Sequence, residues 1–89
     1  MKRFSNKIIE EIYDTRFSHS IGEHVSVKAH KIVHPLVAAR SLQDVDVYGP
    51  IFQWPSSAKR FGVRVEGKWH LTFDWVEGEG AFDILLERR

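Results

Sequence analysis

The sequence contains no cysteine, which excludes disulfide bonds and thiolate metal sites. It has no hydrophobic run of membrane-spanning length, which argues against a transmembrane helix. Its first stretch, MKRFSNKIIEEIYD, is charged where a secretory signal peptide would be apolar. These three absences lead us to expect a soluble, cytoplasmic protein.

A strong excess of positive charge is also absent. Thirteen Lys and Arg residues face twelve Asp and Glu residues, so the formal net charge is only +1. Domains that bind nucleic acid often have a far more basic balance, so a polyanion site here has to concentrate its charge locally. Two places in the sequence do so: Lys59, Arg60 and Arg64 lie close together, and Arg88 precedes Arg89.

The sequence does contain enough apolar surface for one core. Of its 89 residues, 43% are hydrophobic and 12% are aromatic, and no repeat or linker-like tract divides it. These values predict a single domain over residues 1–89 that folds without disulfides or a structural metal.

The first half of the chain has helical periodicity. Ser5 can cap a short amphipathic helix that carries Ile9 and Ile12 on one face. Pro35 interrupts a second apolar stripe, so we predict a kink or break there and helical structure that resumes through about Leu42. The residues of this second stripe, all at helical spacing, are Val25, Ala29, Ile32, Val33, Leu36 and Val37.

Two histidines on the second predicted helix have the spacing of a metal-ligand pair. His30 and His34 are four residues apart, which places them on one helix face. No third ligand of suitable spacing supports a metal site, so surface histidines are the favoured interpretation and no metal is expected.

The second half of the chain has the alternation of β-strands. Turn sequences EGK and EGEG separate the last three of these runs. Helices come first and antiparallel strands follow, which is typical of an α+β fold with two N-terminal helices on one face of a small twisted antiparallel sheet. The predicted strands cover residues 51–54, 61–65, 69–76 and 81–86.

The stretch FGVRVEGKWHLTFDW, from Phe61 to Trp75, predicts a hairpin with two different faces. Directly paired residues in an antiparallel ladder share a face, and a strict two-residue loop would mix the apolar and polar rows. A three-residue loop or a bulge over residues 66–68 keeps Val63 beside Leu71 and Arg64 beside His70. The Trp and Phe row then packs under the helices, and Arg64 and His70 lie together on the uncovered face.

Three strings in this sequence resemble the HigB-type toxins of the RelE/ParE toxin superfamily, also described as plasmid maintenance system killer proteins. They are AARSLQDV, FGVRVEGKWHLTFDW and EGEGAFDIL, in the family's order and with near-family spacing. The first half of the chain resembles the family by layout only. The matching positions in the strand pair are Phe61, Arg64, Val65, Trp69, Phe73 and Trp75.

The resemblance implies the toxin of a type II toxin-antitoxin system. Members of this family are ribosome-dependent mRNA endonucleases, held inactive by a HigA-like helix-turn-helix antitoxin. Their fold is similar to that of the small microbial ribonucleases, and their active face is the sheet surface opposite the helices. The implied partners are therefore the antitoxin, the ribosome and mRNA, with no membrane, no metal and no cofactor.

The sequence departs from the family at three catalytic positions. His70 stands where the family has Arg, and Leu86-Glu87-Arg88 stands where Asp-Tyr-His is usual. The loop QWPSSAK lacks the Lys expected at its matching place. Only Arg64 therefore carries over directly, and the other roles are inferred from position and chemistry.

Metal-free RNA cleavage needs a deprotonated 2′-hydroxyl, a stabilised phosphate and a protonated leaving oxygen. We expect His70 to act as general acid or base, with Arg64 and Arg88 on the scissile phosphate. Glu87 is a second candidate proton carrier, and Lys59 or Arg60 is expected to hold the RNA backbone. The predicted catalytic residues are thus His70, Arg64, Arg88 and Glu87, and the predicted RNA-binding residues are Lys59, Arg60 and Trp54.

Several of these residues also have an ordinary structural interpretation, and Arg88 could simply be a disordered residue of the tail. Arg64 could form a cross-strand ion pair with Asp74 or Glu66, worth only ~0.2–1 kcal/mol if exposed. His70 could simply hydrogen-bond a neighbour. Trp54 could cover the edge of the core instead of stacking on a base.

The alternative function is a non-catalytic binding module on the same fold. Such a module would act as a gyrase-type inhibitor or would survive only as the inactive partner of an antitoxin. Under either function the flanks of the second helix, with Lys28, Lys31 and Arg40, could receive the antitoxin.

Overall fold

A computed structural model gives the structure of this chain and describes residues 3–5, 7–18, 21–46, 50–53 and 60–88. Trp54 and Lys59, two of the predicted RNA-binding residues, lie outside the described residues. The helices are α1 (Lys7–Thr15), α2 (Glu23–Ala38) and α3 (Gln43–Asp46). The strands are β1 (Ile51–Gln53), β2 (Arg60–Glu66), β3 (Trp69–Val76) and β4 (Gly80–Arg88).

The four strands form one antiparallel sheet in the order β1-β2-β3-β4. The N-terminal residues extend it beyond β4, where Phe4 forms a parallel bridge with Ile84. The amide of Ser5 donates to the carbonyl of Ile84 at 2.8 Å, and the amide of Ile84 donates to the carbonyl of Arg3 at 2.9 Å. The predicted α+β class, with helices before an antiparallel sheet, is confirmed.

The helices α1 and α2 pack against one face of this sheet and bury the core there. The apolar stripe of α2 was predicted from its spacing, and Ala29, Val33 and Leu36 are indeed fully buried. No helix in the described part of the chain is long and apolar enough to cross a membrane. The sheet residues buried in the core are Val63, Val65, Leu71, Phe73, Ala81, Ile84 and Leu86.

Pro35 does not end α2, which continues through it to Ala38. A proline inside a helix removes one backbone donor and crowds the carbonyl four residues earlier. The buried residues Val33 and Leu36 on either side keep this last turn against the sheet. The prediction of continued helix through about Leu42 is wrong, because α2 stops at Ala38 and the separate short helix α3 begins at Gln43.

The β2–β3 hairpin has the predicted register. Val63 pairs with Leu71 and Arg64 pairs with His70. The bulge is also present, one residue earlier than predicted: Glu66 pairs with Trp69, so that Val65 is the extra residue. This offset allows a two-residue turn while Val65 stays on the core side, where it is buried.

A second bulge lies between β3 and β4. Thr72 pairs with Leu85, but Asp74 pairs with Phe82, so β4 has one more residue than β3 across this interval. Asp83 takes up the extra length with φ of 51°, a left-handed conformation that Asp adopts more readily than most residues. Phe82 and Leu85 therefore lie on the same sheet face although they are three residues apart.

Candidate functional site

The sheet face opposite α1 and α2, called here the open face, collects polar residues from three neighbouring strands. Direct pairing places Arg64 beside His70, and His70 beside Glu87 on the other side. Paired residues in an antiparallel ladder share a face, with Cβ atoms about 4.5–5.5 Å apart. The open face therefore carries a guanidinium, an imidazole and a carboxylate in one row across β2, β3 and β4.

Arg64 is exposed on this face, and its guanidinium is only partly engaged. Its Nε donates to the carbonyl of Gly67 at 3.2 Å. The two carboxylates that could have paired with it have other partners: Asp74 pairs with Arg60, and Glu66 binds cations on the helix side. Within the described part of the chain, the Nη groups of Arg64 have no hydrogen-bond partner. This end of the guanidinium is open to an incoming anion.

Two of the contacts of His70 orient its ring. Its Nδ1 lies 2.9 Å from the carbonyl oxygen of Lys68, which can only accept a hydrogen bond. Nδ1 therefore carries the hydrogen, and in the neutral imidazole Nε2 has the lone pair. The Phe52 ring packs edge-on to the imidazole at 90°, with ring centroids 5.6 Å apart. This arrangement suits Nε2 for proton transfer.

Glu87 is half-buried at the end of β4. Its Oε2 accepts a hydrogen bond from the hydroxyl of Thr72, in a very close contact. Thr72 itself is fully buried. Thr72 was not among the residues singled out from the sequence, although it lies in the same alternating row as His70.

Arg60 is committed to partners within the sheet. Its Nη1 donates to Oδ1 of Asp74 at 3.1 Å, and its Nη2 donates to Oγ1 of Thr72 at 2.9 Å and to the carbonyl of Asp83 at 2.8 Å. Its side chain is only 14% exposed. Arg60 thus links β2, β3 and β4, and its guanidinium is not directed at an external phosphate as the sequence-based prediction required.

Arg88 is on the other face of the sheet. It pairs with Trp69, and Trp69 shares its row with the buried residues Leu71 and Phe73. The neighbouring Leu86 is also buried, and residues two apart on a strand point to the same side. The prediction that Arg88 joins Arg64 on one phosphate is therefore not supported, and Arg88 is left out of the site.

Ion pairs tie the β2–β3 hairpin to α2. Glu66 Oε2 lies 2.6 Å from Nε2 of His24, and Oε1 lies 3.1 Å from Nζ of Lys28. The hydrogen bond from Lys28 lowers the pKa of Glu66 below its ordinary value, and His24 lowers it further. These contacts lie on the helix side of the sheet, away from the open face.

The histidine pair of α2 packs against α1. His34 stacks on the Tyr13 ring with centroids 4.2 Å apart, and its Nε2 donates to the carbonyl of Tyr13 at 2.9 Å. Burial lowers the pKa of His30, with further lowering by His34 and Arg16. In residues 3–5, 7–18, 21–46, 50–53 and 60–88, no three His, Asp or Glu side chains form a group that could hold a metal ion.

The chain matches no protein-family model, and no curated protein matches it significantly. The site is therefore defined by its own residues. They are Arg64, His70 and Glu87, which lie together on the open face of an α+β domain.

Proposed function

We propose that this protein is the toxin component of a type II toxin-antitoxin system, a HigB-type mRNA endonuclease that acts on the ribosome. It cleaves without metal or cofactor in the cytoplasm, and a HigA-like helix-turn-helix antitoxin neutralises it. The observation that carries the proposal is the direct pairing of Arg64 with His70 on the open face. Glu87, opposite His70 on the next strand, completes the set.

These three groups match the requirements of cleavage by the 2′-hydroxyl. One of His70 and Glu87 takes the 2′-hydroxyl proton, and the 2′-oxygen forms a bond to phosphorus. The bond from phosphorus to the 5′-oxygen breaks, and the other group supplies the proton that this oxygen needs. The products are a 2′,3′-cyclic phosphate and a 5′-hydroxyl, so protons are transferred but nothing is oxidised or reduced.

Arg64 supplies the charge that this reaction needs. Negative charge grows on the phosphate oxygens in the transition state, and a guanidinium can donate two hydrogen bonds to them while it remains charged. The Nε of Arg64 donates to the carbonyl of Gly67, and its Nη groups have no competing carboxylate in the described part of the chain. An ordinary surface ion pair would have neutralised this guanidinium.

The experiment compares His70→Ala with His24→Ala in mRNA cleavage on translating ribosomes. Both variants remove an imidazole, but His24 belongs to α2 and contacts Glu66 rather than the open face. We expect His70→Ala to lower the cleavage rate by about 10²–10⁴-fold, the usual contribution of a general acid or base. We expect His24→Ala to cleave at nearly the native rate. Equal rates for native protein and His70→Ala would remove His70 from the reaction.

A second candidate function is supported by the positions of the other two arginines. Arg60 is bound within the sheet, and Arg88 pairs on the helix side, so the open face has less phosphate-binding charge than the sequence predicted. This favours a non-catalytic module that inhibits gyrase by contact or that serves only as an antitoxin's partner. Growth arrest with DNA damage and intact transcripts would support the gyrase-type module, and absence of toxicity would leave only partner binding.

The antitoxin is proposed to cover the exposed flank of α2 and the residues after it. Lys31 and Arg40 are exposed there, while Lys28 already binds Glu66. A charge reversal at Lys31 or Arg40 should weaken antitoxin binding in a pull-down while leaving mRNA cleavage unchanged. Unchanged binding by a variant reversed at both positions would move the contact surface elsewhere.

A further inference from the structure

Thr72 is a polar residue of the open face to which the proposed cleavage gives no role. The hydroxyl of Thr72 is fully buried and lies between Arg60 and Glu87. A buried hydroxyl with a cation on one side and a carboxylate on the other is a connected polar network, in which each member fixes the orientation of the next.

The direction of this hydrogen-bond chain follows from the donors. A guanidinium only donates, so the Thr72 hydroxyl must accept the bond from Arg60 Nη2. The hydroxyl has a single proton, and the available acceptors are Oε2 of Glu87, in close contact, and the carbonyl of Leu85, at 3.5 Å. The proton therefore goes to Glu87, and the chain runs from Arg60 through Thr72 to the carboxylate.

This hydrogen-bond chain leaves one oxygen of the Glu87 carboxylate available. Only Oε2 of Glu87 is engaged, and Oε1 accepts no hydrogen bond from the residues that the structure describes. Glu87 is the direct cross-strand partner of His70. The Thr72 hydroxyl occupies one oxygen of this carboxylate, and the second oxygen can accept a proton.

Building on the proposed cleavage activity, we infer that Arg60 and Thr72 are positioning residues that hold Glu87 as the proton acceptor of the reaction. Oε1 of Glu87 takes the proton of the 2′-hydroxyl while the 2′-oxygen bonds to phosphorus. Protonated His70 gives its Nε2 proton to the departing 5′-oxygen as the bond to phosphorus breaks. Exchange with water then returns the proton from Glu87 and restores the proton on His70.

A purely structural function does not account for the link to Glu87. Arg60 already connects three strands through Asp74 and the carbonyl of Asp83, and neither of these contacts involves Glu87. Thr72→Val keeps the volume of the side chain and both of these contacts, and it removes only the hydroxyl. Thr72→Ser is the matched control because it keeps the hydroxyl.

The test measures single-turnover cleavage of mRNA on ribosomes by these two variants, by Glu87→Gln and by His70→Ala. Each variant is assayed on ordinary mRNA and on mRNA with sulfur in place of the 5′-bridging oxygen at the mapped cleavage site. A thiolate leaves without protonation, so the sulfur substrate does not need the general acid. It still needs the general base.

On ordinary mRNA, Thr72→Val should be about ten- to a hundredfold slower, the usual result of misplacing a reacting group, and Thr72→Ser should be close to native. On the sulfur substrate, the defect of His70→Ala should largely disappear, whereas the defects of Glu87→Gln and Thr72→Val should persist. Equal rates for Thr72→Val and Thr72→Ser would overturn the positioning role. Restoration of Glu87→Gln, but not His70→Ala, by sulfur would overturn the assignment of Glu87 as acceptor.

A spectroscopic measurement separates this inference from the proposed function. The ¹³C resonance of the Glu87 carboxyl should shift in Thr72→Val and remain near the native position in Thr72→Ser. If the resonance responds in this way but the native protein does not cleave mRNA, the hydrogen-bond chain from Arg60 to Glu87 is present. The proposed function is then wrong, and so is the positioning role of Arg60 and Thr72 in the reaction. If the resonance does not shift when the hydroxyl is removed, the hydrogen-bond chain is absent, whether or not the protein cleaves mRNA.

Discussion

The two faces of the sheet are built from the same strands but differ in what their side chains contact. On the helix side, Leu71, Phe73 and Ile84 are completely buried against α1 and α2. On the open face, the alternate residues Arg64, His70 and Glu87 are exposed or only half-buried. The comparison shows that apolar burial maintains the fold from one side and leaves the other side available for a polar site. Substitutions on the two faces should therefore change different measurements.

The largest effect is expected from Phe73→Ala, in the core row. Truncation of a fully buried Phe should lower the free energy of unfolding by about 3–5 kcal/mol, because it loses apolar burial and leaves a cavity. The same truncation on the open face, Phe52→Ala, removes a half-buried ring and should cost clearly less. Denaturant titration measures both variants. An equal loss for the two would contradict the assignment of the core to the helix side.

The next largest effect is expected at Arg64, on the rate of mRNA cleavage. Arg64→Ala should slow mRNA cleavage by about 10²–10³-fold, the effect of losing one transition-state donor group, with little change in the unfolding midpoint. Arg64→Lys keeps the charge but loses the planar fork, so it should recover only part of the rate. Single-turnover cleavage assays and thermal unfolding test both points. A variant that loses stability and activity together would make Arg64 a structural residue.

A smaller effect on stability is expected at Arg60. Arg60→Met should lower the free energy of unfolding by about 1–3 kcal/mol, because the partly buried carbonyl of Asp83 and the buried hydroxyl of Thr72 lose their donor. The matched control is Arg64→Met on the same strand, where the guanidinium is exposed. The control should unfold within about 0.5 kcal/mol of the native protein. A larger loss of unfolding free energy for Arg64→Met than for Arg60→Met would contradict the roles assigned to the two arginines.

The pairs of Glu66 with Lys28 and His24 predict a pH dependence of the anchor between the hairpin and α2. The pKa of Glu66 is lowered in the folded protein, chiefly by Lys28, so the folded state binds this proton less readily than the unfolded state does. The resulting stabilisation is present above the unfolded pKa of about 4.3 and is lost as the pH falls through the folded value. Glu66→Gln should therefore reduce stability at pH 7 more than at pH 3, in parallel denaturant titrations. A deficit that does not change with pH would exclude this linkage.

The smallest effect is expected from Arg88→Ala. Arg88 is exposed and pairs with Trp69 on the helix side, away from His70. Its truncation should leave the cleavage rate within about twofold of native and change the unfolding free energy by less than about 0.5 kcal/mol. A loss of cleavage as large as that of Arg64→Ala would return Arg88 to the catalytic set and contradict the strand register.

The hairpin could be predicted from sequence because its information is local. Alternation fixed which residues of FGVRVEGKWHLTFDW share a face, and keeping Val63 beside Leu71 required a bulge. The same rule, applied further along the chain, would have separated Arg88 from the site, because Arg88 is two residues after the apolar Leu86. The family resemblance places Arg88 at a catalytic position, whereas its pairing with Trp69 puts it on the helix side.

The polar network could not be predicted in the same way because it depends on contacts distant in sequence. Thr72 reaches Glu87 across β3 and β4, and the register there depends on the extra residue Asp83 in a left-handed conformation. Arg60 was predicted to hold RNA because the sequence shows its charge but not its partners. A kink or break was predicted at Pro35, and α2 is not broken there but continues to Ala38, with Val33 and Leu36 buried on either side of the proline.

The most direct test of the central claim is the chemistry of the RNA ends formed when the native protein is added to translating ribosomes. A site built from Arg64, His70 and Glu87 predicts transcripts cut within the translated region, with 5′-hydroxyl and 2′,3′-cyclic phosphate ends. The double variant with Arg64→Ala and His70→Ala should give no such ends. Intact transcripts with the native protein, or cuts that carry 5′-phosphates, would contradict the open face as a ribonuclease site.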